Sequence, residues 1–510
     1  MMTNSADPAP PAPVAAPQGV LLPLALAQFI CSYAASNMNV AISNIATDLG
    51  TTVSGVQTTI AVFTLTMAAL MIPGSKLTDI LGRTYLFRRG LLVYGVGALV
   101  AAAAPGIGIL ILGYSLLEGI GTALLIPPVY ILATVFFPDL TSRARAFGAI
   151  SAAGGIGAAA GPLVGGIITT AISWRAAFVV QALVVGIVIL QSRKIVDPGI
   201  QGPKPRLDIV GTILSAAGLF FVVVGILQAS TYGWFAASQD FVIGNTVLIP
   251  QGGISPVWVF VLIGLLLLAG FFWHIRSMER AGKEPLLSTR LFKNRTSNLG
   301  LITQNIQWLV LMGLSFVVSV YLQTVRGYSA IETGLVLTPA TIGILLSSMA
   351  AARLARRRSQ ATLIRAGFIV TVVGVLLLLL WVRETSNVLT FVPGLFLVGL
   401  GVGVMLTSSV NVVQSSFPEK DQGEISGLSR SVSNLGSSLG VAIAGTVIVS
   451  TLVEGNMGYA LALVVLVFFA LVGLAAAFML PASPVPRSPG PSLPDRRPSR
   501  HPPGRPRDRK

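Results

Sequence analysis

Residues 256–274 read PVWVFVLIGLLLLAGFFWH, and the residues that follow, 275–283, read IRSMERAGK. The first stretch is apolar and about as long as the 20 residues that a helix needs to cross a bilayer. A single strand would leave its backbone groups unpaired in lipid, so we predict a helix. Because Lys and Arg accumulate on the cytoplasmic side of a membrane, the basic residues after it indicate its direction.

The same alternation of apolar and basic segments runs along most of the chain. We predict fourteen membrane helices, at roughly 20–47, 54–75, 86–104, 107–135, 146–170, 175–193, 208–230, 256–274, 298–323, 332–352, 362–382, 389–414, 425–451 and 458–480. With the N-terminus in the cytoplasm, all but three of the 34 Lys and Arg fall on the cytoplasmic side, the exceptions being Arg175, Arg326 and Arg383. The charge distribution therefore predicts an all-α, multi-pass membrane protein with both termini in the cytoplasm.

Composition narrows the function classes. Only 10% of the 510 residues are charged, whereas a soluble domain carries about 25%. The net charge of +16 follows from the basic loops, so we expect contact with the lipid bilayer and no nucleic-acid partner. Cys31 is the only cysteine and the two histidines are far apart, so we expect neither a disulfide nor a metal site or other cofactor. The sequence has no Walker loop or nucleophile elbow, and we expect no enzyme.

Two motifs suggest a family. Residues 75–84 read SKLTDILGRT at the end of the second predicted helix, and residues 154–166 in the fifth read GGIGAAAGPLVGG. With Ser173-Trp174-Arg175, they resemble the loop motif and the antiporter signature of the major facilitator superfamily, specifically its fourteen-span drug:proton antiporter branch. The resemblance implies a multi-pass transporter of small molecules in the cell membrane, acting as a monomer and coupled to protons.

The resemblance also implies a division of the chain. It comprises a disordered tail (1–19), a six-helix bundle (20–195), a two-helix insertion (207–275), a cytoplasmic linker (276–296), a second six-helix bundle (297–480) and a basic tail rich in Pro and Arg (481–510).

The two motifs have physical interpretations. Asp79, with Gly82 and Arg83, is expected to act as a gate by capping the start of the thirteenth helix; the alternative is an exposed ion pair of little energetic value. In the fifth helix, small residues allow close helix contact and a proline favours a bend. We interpret this helix as a moving part of the transporter; the alternative is tight static packing. The residues concerned are Gly157, Gly161, Pro162, Gly165 and Gly166.

The sequence departs from the branch where proton coupling is concerned. Ala34 stands where the branch has an Asp in the first helix, and Ser115 where it has an Arg in the fourth. Glu118 is then the acidic residue predicted deep within a helix, where a charge is costly and acids are functional by default. We expect Glu118 to carry protons; the alternative is a neutral glutamic acid that hydrogen-bonds a neighbouring helix.

Polar residues in the helices that line the cavity of this family are candidates for substrate contact: Asn37, Asn39, Ser115, Gln304, Gln307 and Trp308. Hydrogen bonds between helices are the alternative for each. The predicted function is proton-driven export of drug-like or amphipathic molecules. A transporter that is not coupled to protons is a second possibility, and a non-transporting receptor or scaffold is a third.

Overall fold

The structure is a computed structural model. It describes residues 19–137, 140–193, 195, 206–243, 246–355, 357–383, 386–418, 421–451 and 456–481. The two predicted tails lie outside these ranges except for Gly19 and Pro481.

The described chain contains the fourteen predicted membrane helices, here called the first to fourteenth spans. Their bounds are Leu21–Val40, Val53–Leu81, Arg83–Ala102, Ile107–Phe136, Leu140–Ala171, Trp174–Ser192, Ile209–Tyr232, Pro256–Arg280, Arg295–Val325, Ala330–Ala351, Gln360–Trp381, Val388–Gln414, Gly423–Ser450 and Met457–Phe478. The prediction of a fourteen-span, mainly helical fold is confirmed.

The fifth span is bent by 41° between Ala158 and Ala160. Pro162 follows one turn later. Proline has no N–H to donate to the carbonyl four residues earlier, which here belongs to Ala158, and its ring crowds that carbonyl. The bend therefore lies at the position that Pro162 predicts.

Two segments differ from a simple series of helices. The first span, predicted to run to residue 47, passes through a 3-10 turn at Met38–Val40, and a separate short helix follows at Ile42–Asp48. The loop between the seventh and eighth spans contains an antiparallel hairpin of Phe241–Ile243 and Thr246–Ile249. The hydropathy pattern did not predict this hairpin, because a strand of three or four residues outside the membrane has no long apolar signal.

Helix packing repeats along the chain. The first span packs on the fifth and sixth, the second on the fourth, and the third on the fourth and sixth. The ninth to fourteenth spans repeat this arrangement in the same order. The two sets meet where the second span packs on the thirteenth and the fifth on the tenth. The seventh and eighth spans pack on each other, and the seventh also contacts the second and the thirteenth.

Candidate functional site

Glu118 lies at the end of a π-helical segment, Ile111–Glu118, inside the fourth span. Its side chain has no exposed surface, and neither carboxyl oxygen has a hydrogen-bond partner among the described residues. A buried carboxylate without a donor is strongly unfavourable, so the neutral acid is the form that suits this conformation. Short π-helical segments within α-helices are frequently found at functional sites.

The π segment is accommodated by glycine contacts with the third span. A Cβ atom added to Gly97 would collide with the carbonyl oxygen of Gly113 and the amide nitrogen of Glu118. These two contacts are five residues apart along the fourth span. The corresponding groups in an α-helix are four residues apart, so the turn of the fourth span that faces Gly97 contains one extra residue.

Small and neutral groups surround this part of the fourth span. The Tyr114 hydroxyl donates to the carbonyl oxygen of Ala34 at 3.0 Å, and the Ser115 hydroxyl donates to that of Thr59 at 2.6 Å. Ala34, at the position expected to carry an acid, is itself buried. The electrostatic neighbours of Glu118 include Tyr114 and Cys31. Among the described residues, no basic side chain forms an ion pair with Glu118.

The predicted cavity residues divide into two groups. Ser115 and Gln304 are bound to neighbouring helices: the Gln304 amide contacts the hydroxyls of Ser433 at 2.8 Å and Ser429 at 2.9 Å. The others have polar atoms that remain buried without a described partner, namely Oδ1 of Asn37, Oδ1 of Asn39 and Nε2 of Gln307. Trp308 is half-buried. The second group has hydrogen-bonding capacity left for a ligand.

Two glutamines that sequence reasoning did not select join distant parts of the chain. The Gln323 side chain donates to the carbonyl oxygen of Asn39 at 2.9 Å and accepts from the amide of Ser43 at 3.0 Å. The Gln57 side chain donates to the carbonyl oxygen of Val441 at 3.0 Å. Both lie near the ends of their spans on the side of the 232–256 loop. A glutamine within an apolar helix is the signal that could have identified them.

The glycines of the fifth span face two partners. A Cβ atom on Gly157 or Gly161 would collide with the first span, and one on Gly165 would be in tight contact with Asn37 of that span. A Cβ atom on Gly166 would collide with the backbone of Ala330 in the tenth span. Pro162 contacts Gly334 of the tenth span. The small residues thus bring the fifth span into backbone contact with one helix of its own set and one of the other.

The predicted gate residues lie at the turn between the second and third spans. Asp79 is half-buried in the last turn of the second span, and Arg83 begins the third. Gly82 between them has φ 103°, a backbone conformation that favours glycine. An ion pair joins this end of the second span to the thirteenth span: Lys76 Nζ lies 3.4 Å from Glu424 Oε1. Asp79 is thus one turn away from the residue that makes the contact.

Comparison with known proteins agrees with this architecture. A family model for the Major Facilitator Superfamily matches residues 24–441 and 301–505. The chain belongs to the major facilitator superfamily. Solved structures of a peptide transporter (TM-score 0.63, 15% identity, 90% of this chain and 94% of that one) and a nucleoside transporter (TM-score 0.61, 11% identity, 90% and 99%) share the fold.

Its sequence relatives are resistance and export proteins. A puromycin resistance protein of Streptomyces alboniger is 29% identical over 84% of this chain and 81% of its own length. A probable actinorhodin transporter of Streptomyces coelicolor is 28% identical over 80% and 68%. A multidrug efflux pump of Mycolicibacterium smegmatis is 28% identical over 76% and 72%. Their names, which refer to drug resistance, transport and efflux, agree with the drug-exporting branch that the motifs of this chain resemble.

Proposed function

We propose that this protein exports drug-like or amphipathic small molecules across the plasma membrane, driven by protons moving inward, with both termini in the cytoplasm. Its relatives include proteins named for resistance to puromycin and for multidrug efflux. The placement of nearly all Lys and Arg in alternate gaps supports the orientation.

Glu118 is the proposed proton carrier, and the supporting observation is its complete burial without a hydrogen-bond partner among the described residues. In this conformation the carboxyl group is neutral. When water reaches it from the cytoplasmic side, the carboxylate becomes solvated and the proton leaves. Alternating access to the two sides then couples proton entry to export of the substrate.

Movement of two six-helix bundles against each other provides this alternation. The second and thirteenth spans and the fifth and tenth form the main helix contacts between the sets. Glycine contacts in the fifth span, and the junction of Asp79, Lys76 and Glu424, are the proposed moving surface and gate. Asn37, Asn39 and Gln307 are the favoured substrate contacts, because each has an unused polar atom.

The test measures transport by purified protein in proteoliposomes, with puromycin as the first substrate and an imposed pH gradient. Wild type is compared with Glu118→Gln and Glu118→Asp. We expect Glu118→Gln to lose transport driven by the pH gradient, because it keeps the shape but cannot release a proton. It should retain exchange of labelled for unlabelled substrate without a gradient. Glu118→Asp should keep part of the driven transport.

The matched control is Glu332→Gln, which removes an acid from the exposed start of the tenth span. Full gradient-driven transport by Glu118→Gln would refute the carrier role. Substrate exchange by wild type without any response to the gradient would instead support the transporter not coupled to protons that Ala34 and Ser115 suggested. If neither puromycin nor actinorhodin is exchanged or exported, the result would count against export of these compounds.

A further inference from the structure

A cavity of ≈ 690 Å³ lies at the end of the eighth span, where the chain turns into the linker that leads to the ninth. We propose that it binds the phosphate-bearing headgroup of an anionic phospholipid. It is lined by Phe272, Trp273, Arg276, Glu279, Arg280, Thr289 and Lys293. These residues take no part in the proposed transport of substrate or protons.

The charge of the cavity favours an anionic ligand. Arg276, Arg280 and Lys293 are exposed, and no described acid lies within ion-pair distance of either arginine. The carboxylate of Glu279 accepts hydrogen bonds from Ser288 and Thr289 and interacts with Lys293. The cavity therefore has three cations and one carboxylate that is already engaged, so its net charge is positive.

Arg290, another cation of the linker, differs from Arg276 and Arg280 because it has an acidic partner. The Arg290 guanidinium pairs with Asp421 at 2.8 Å. Arginine recognises phosphate and carboxylate oxygens in the same forked geometry. The linker thus neutralises one arginine within the protein and leaves two beside an open cavity.

The rim of the cavity indicates a lipid as the source of the phosphate. Trp273 is 75% exposed and Phe272 46% exposed, on a span of which only 22% is buried within the protein. Trp273, Arg276 and Arg280 are three and four residues apart, which places them along one helix face. Tryptophan is enriched at the boundary between hydrocarbon and headgroups, and Lys and Arg extend from there to the phosphates. An acyl chain can therefore pass Trp273 while the phosphate reaches the arginines.

A buried carboxylate holds the frame of the cavity in place. Asp208 accepts hydrogen bonds from the amide of Gly211 at 2.8 Å and that of Leu286 at 3.2 Å, and it pairs with His274 at 2.9 Å. These contacts join the start of the seventh span, the end of the eighth and the linker. The cavity is consequently formed before any lipid arrives, which lowers the entropy lost on binding.

The test measures lipid binding to the purified full-length protein by native mass spectrometry, with phosphatidylglycerol and phosphatidylcholine as probes. We expect wild type to bind phosphatidylglycerol in preference. The triple variant Arg276→Gln, Arg280→Gln, Lys293→Gln should bind it at least about tenfold more weakly, because each basic residue near the headgroups contributes to anionic lipid binding. Trp273→Ala should weaken lipid binding further than it weakens binding of inorganic phosphate.

The matched control removes three other exposed cations in Lys283→Gln, Arg357→Gln and Arg358→Gln. It should bind phosphatidylglycerol like wild type, and unchanged thermal unfolding midpoints would establish that both triple variants are folded. Equal losses in the two triple variants would reduce the effect to general surface charge and overturn the site. Inorganic phosphate binding as tightly as phosphatidylglycerol would overturn the assignment to a lipid.

Discussion

The fourth span packs against the third as the twelfth packs against the eleventh, with glycine opposite glycine in both pairs. A Cβ atom on Gly374 would meet the carbonyl oxygen of Gly394 and the amide nitrogen of Val398. These contacts are four residues apart, whereas those of Gly97 with the fourth span are five apart. The fourth span thus has one additional residue in this turn. Glu118 and Val398 occupy equivalent positions, because the amide nitrogen of Glu118 faces Gly97 and that of Val398 faces Gly374.

The rest of the two scaffolds is closely matched. Gly90 contacts the backbone of Gly121 in the first set, and Gly367 contacts that of Gly401 in the second. Two residues before these glycines stand Arg88 and Arg365. What differs is the buried acid, so a repeated packing scaffold carries the proposed chemistry in one copy only.

The largest effect is expected when the two buried positions are exchanged. Val398 has no exposed surface. Val398→Glu would place a carboxyl group there and should lower the free energy of unfolding by at least about 2 kcal/mol. Glu118→Val should leave stability nearly unchanged, since it removes polar atoms that have no partner, and should abolish pH-driven transport. Thermal unfolding in detergent and proteoliposome flux measure the two results. A stable Val398→Glu protein would show that the second copy accommodates a buried acid as readily as the first, which would contradict the expected difference between them.

An intermediate effect tests what the two copies share. The Arg88 guanidinium donates to the carbonyl oxygens of Ser192 at 2.8 Å and Ile195 at 3.0 Å. The Arg365 guanidinium donates likewise to Ala477 at 3.0 Å and Leu480 at 2.8 Å. Each arginine binds the end of the last helix of its set, which otherwise has unpaired carbonyls.

Arg88→Gln and Arg365→Gln should therefore each cost about 1–2 kcal/mol of stability, by similar amounts. Arg89→Gln, which changes an exposed neighbour, should cost much less. Thermal unfolding midpoints of the three variants give the comparison. A large effect from only one of the two capping arginines would mean that the copies are held together differently.

The smallest effect concerns an ion pair found in the first set. A hydrogen bond from Arg175, with a second from Trp174, lowers the pKa of Asp48 below its usual value. A lowered pKa in the folded state means that Asp48 stabilises the protein above its unfolded pKa, and that this stability is lost as the pH falls through the folded pKa. Because 46% of the Asp48 side chain is exposed, Asp48→Asn should cost less than about 1 kcal/mol at pH 7. The difference between variant and wild type should vanish in acid, as thermal unfolding at a series of pH values can measure.

Several structural details followed directly from the sequence. The apolar lengths and the positions of Lys and Arg predicted fourteen spans, and Pro162 predicted the bend of the fifth. Glu118 could be singled out because an acid within an apolar helix is conspicuous in the sequence. The short hairpin at 241–249 and the break of the first span at Met38 were not predictable, since both depend on local backbone pairing with weak sequence signals.

The hydrogen-bond partners of individual polar residues could also not be predicted from the sequence. Gln304 and Gln307 lie on one face of the ninth span, yet Gln304 is held by two serines of the thirteenth span, whereas Gln307 accepts from Ser409 and keeps a free amide. Periodicity gives the face of a helix, but the neighbour across that face comes from more than a hundred residues away in sequence.

The sequence alone determined the environment, the span count and the candidate acid, because the bilayer imposes a length and a charge rule on each segment separately. Only the tertiary structure decided that Glu118 ends a π-helical segment, that it has no hydrogen-bond partner in the described part of the chain, and that its counterpart is a valine. Those properties depend on how closely the backbones of two helices approach and on which groups they bury between them, and no single segment contains that information.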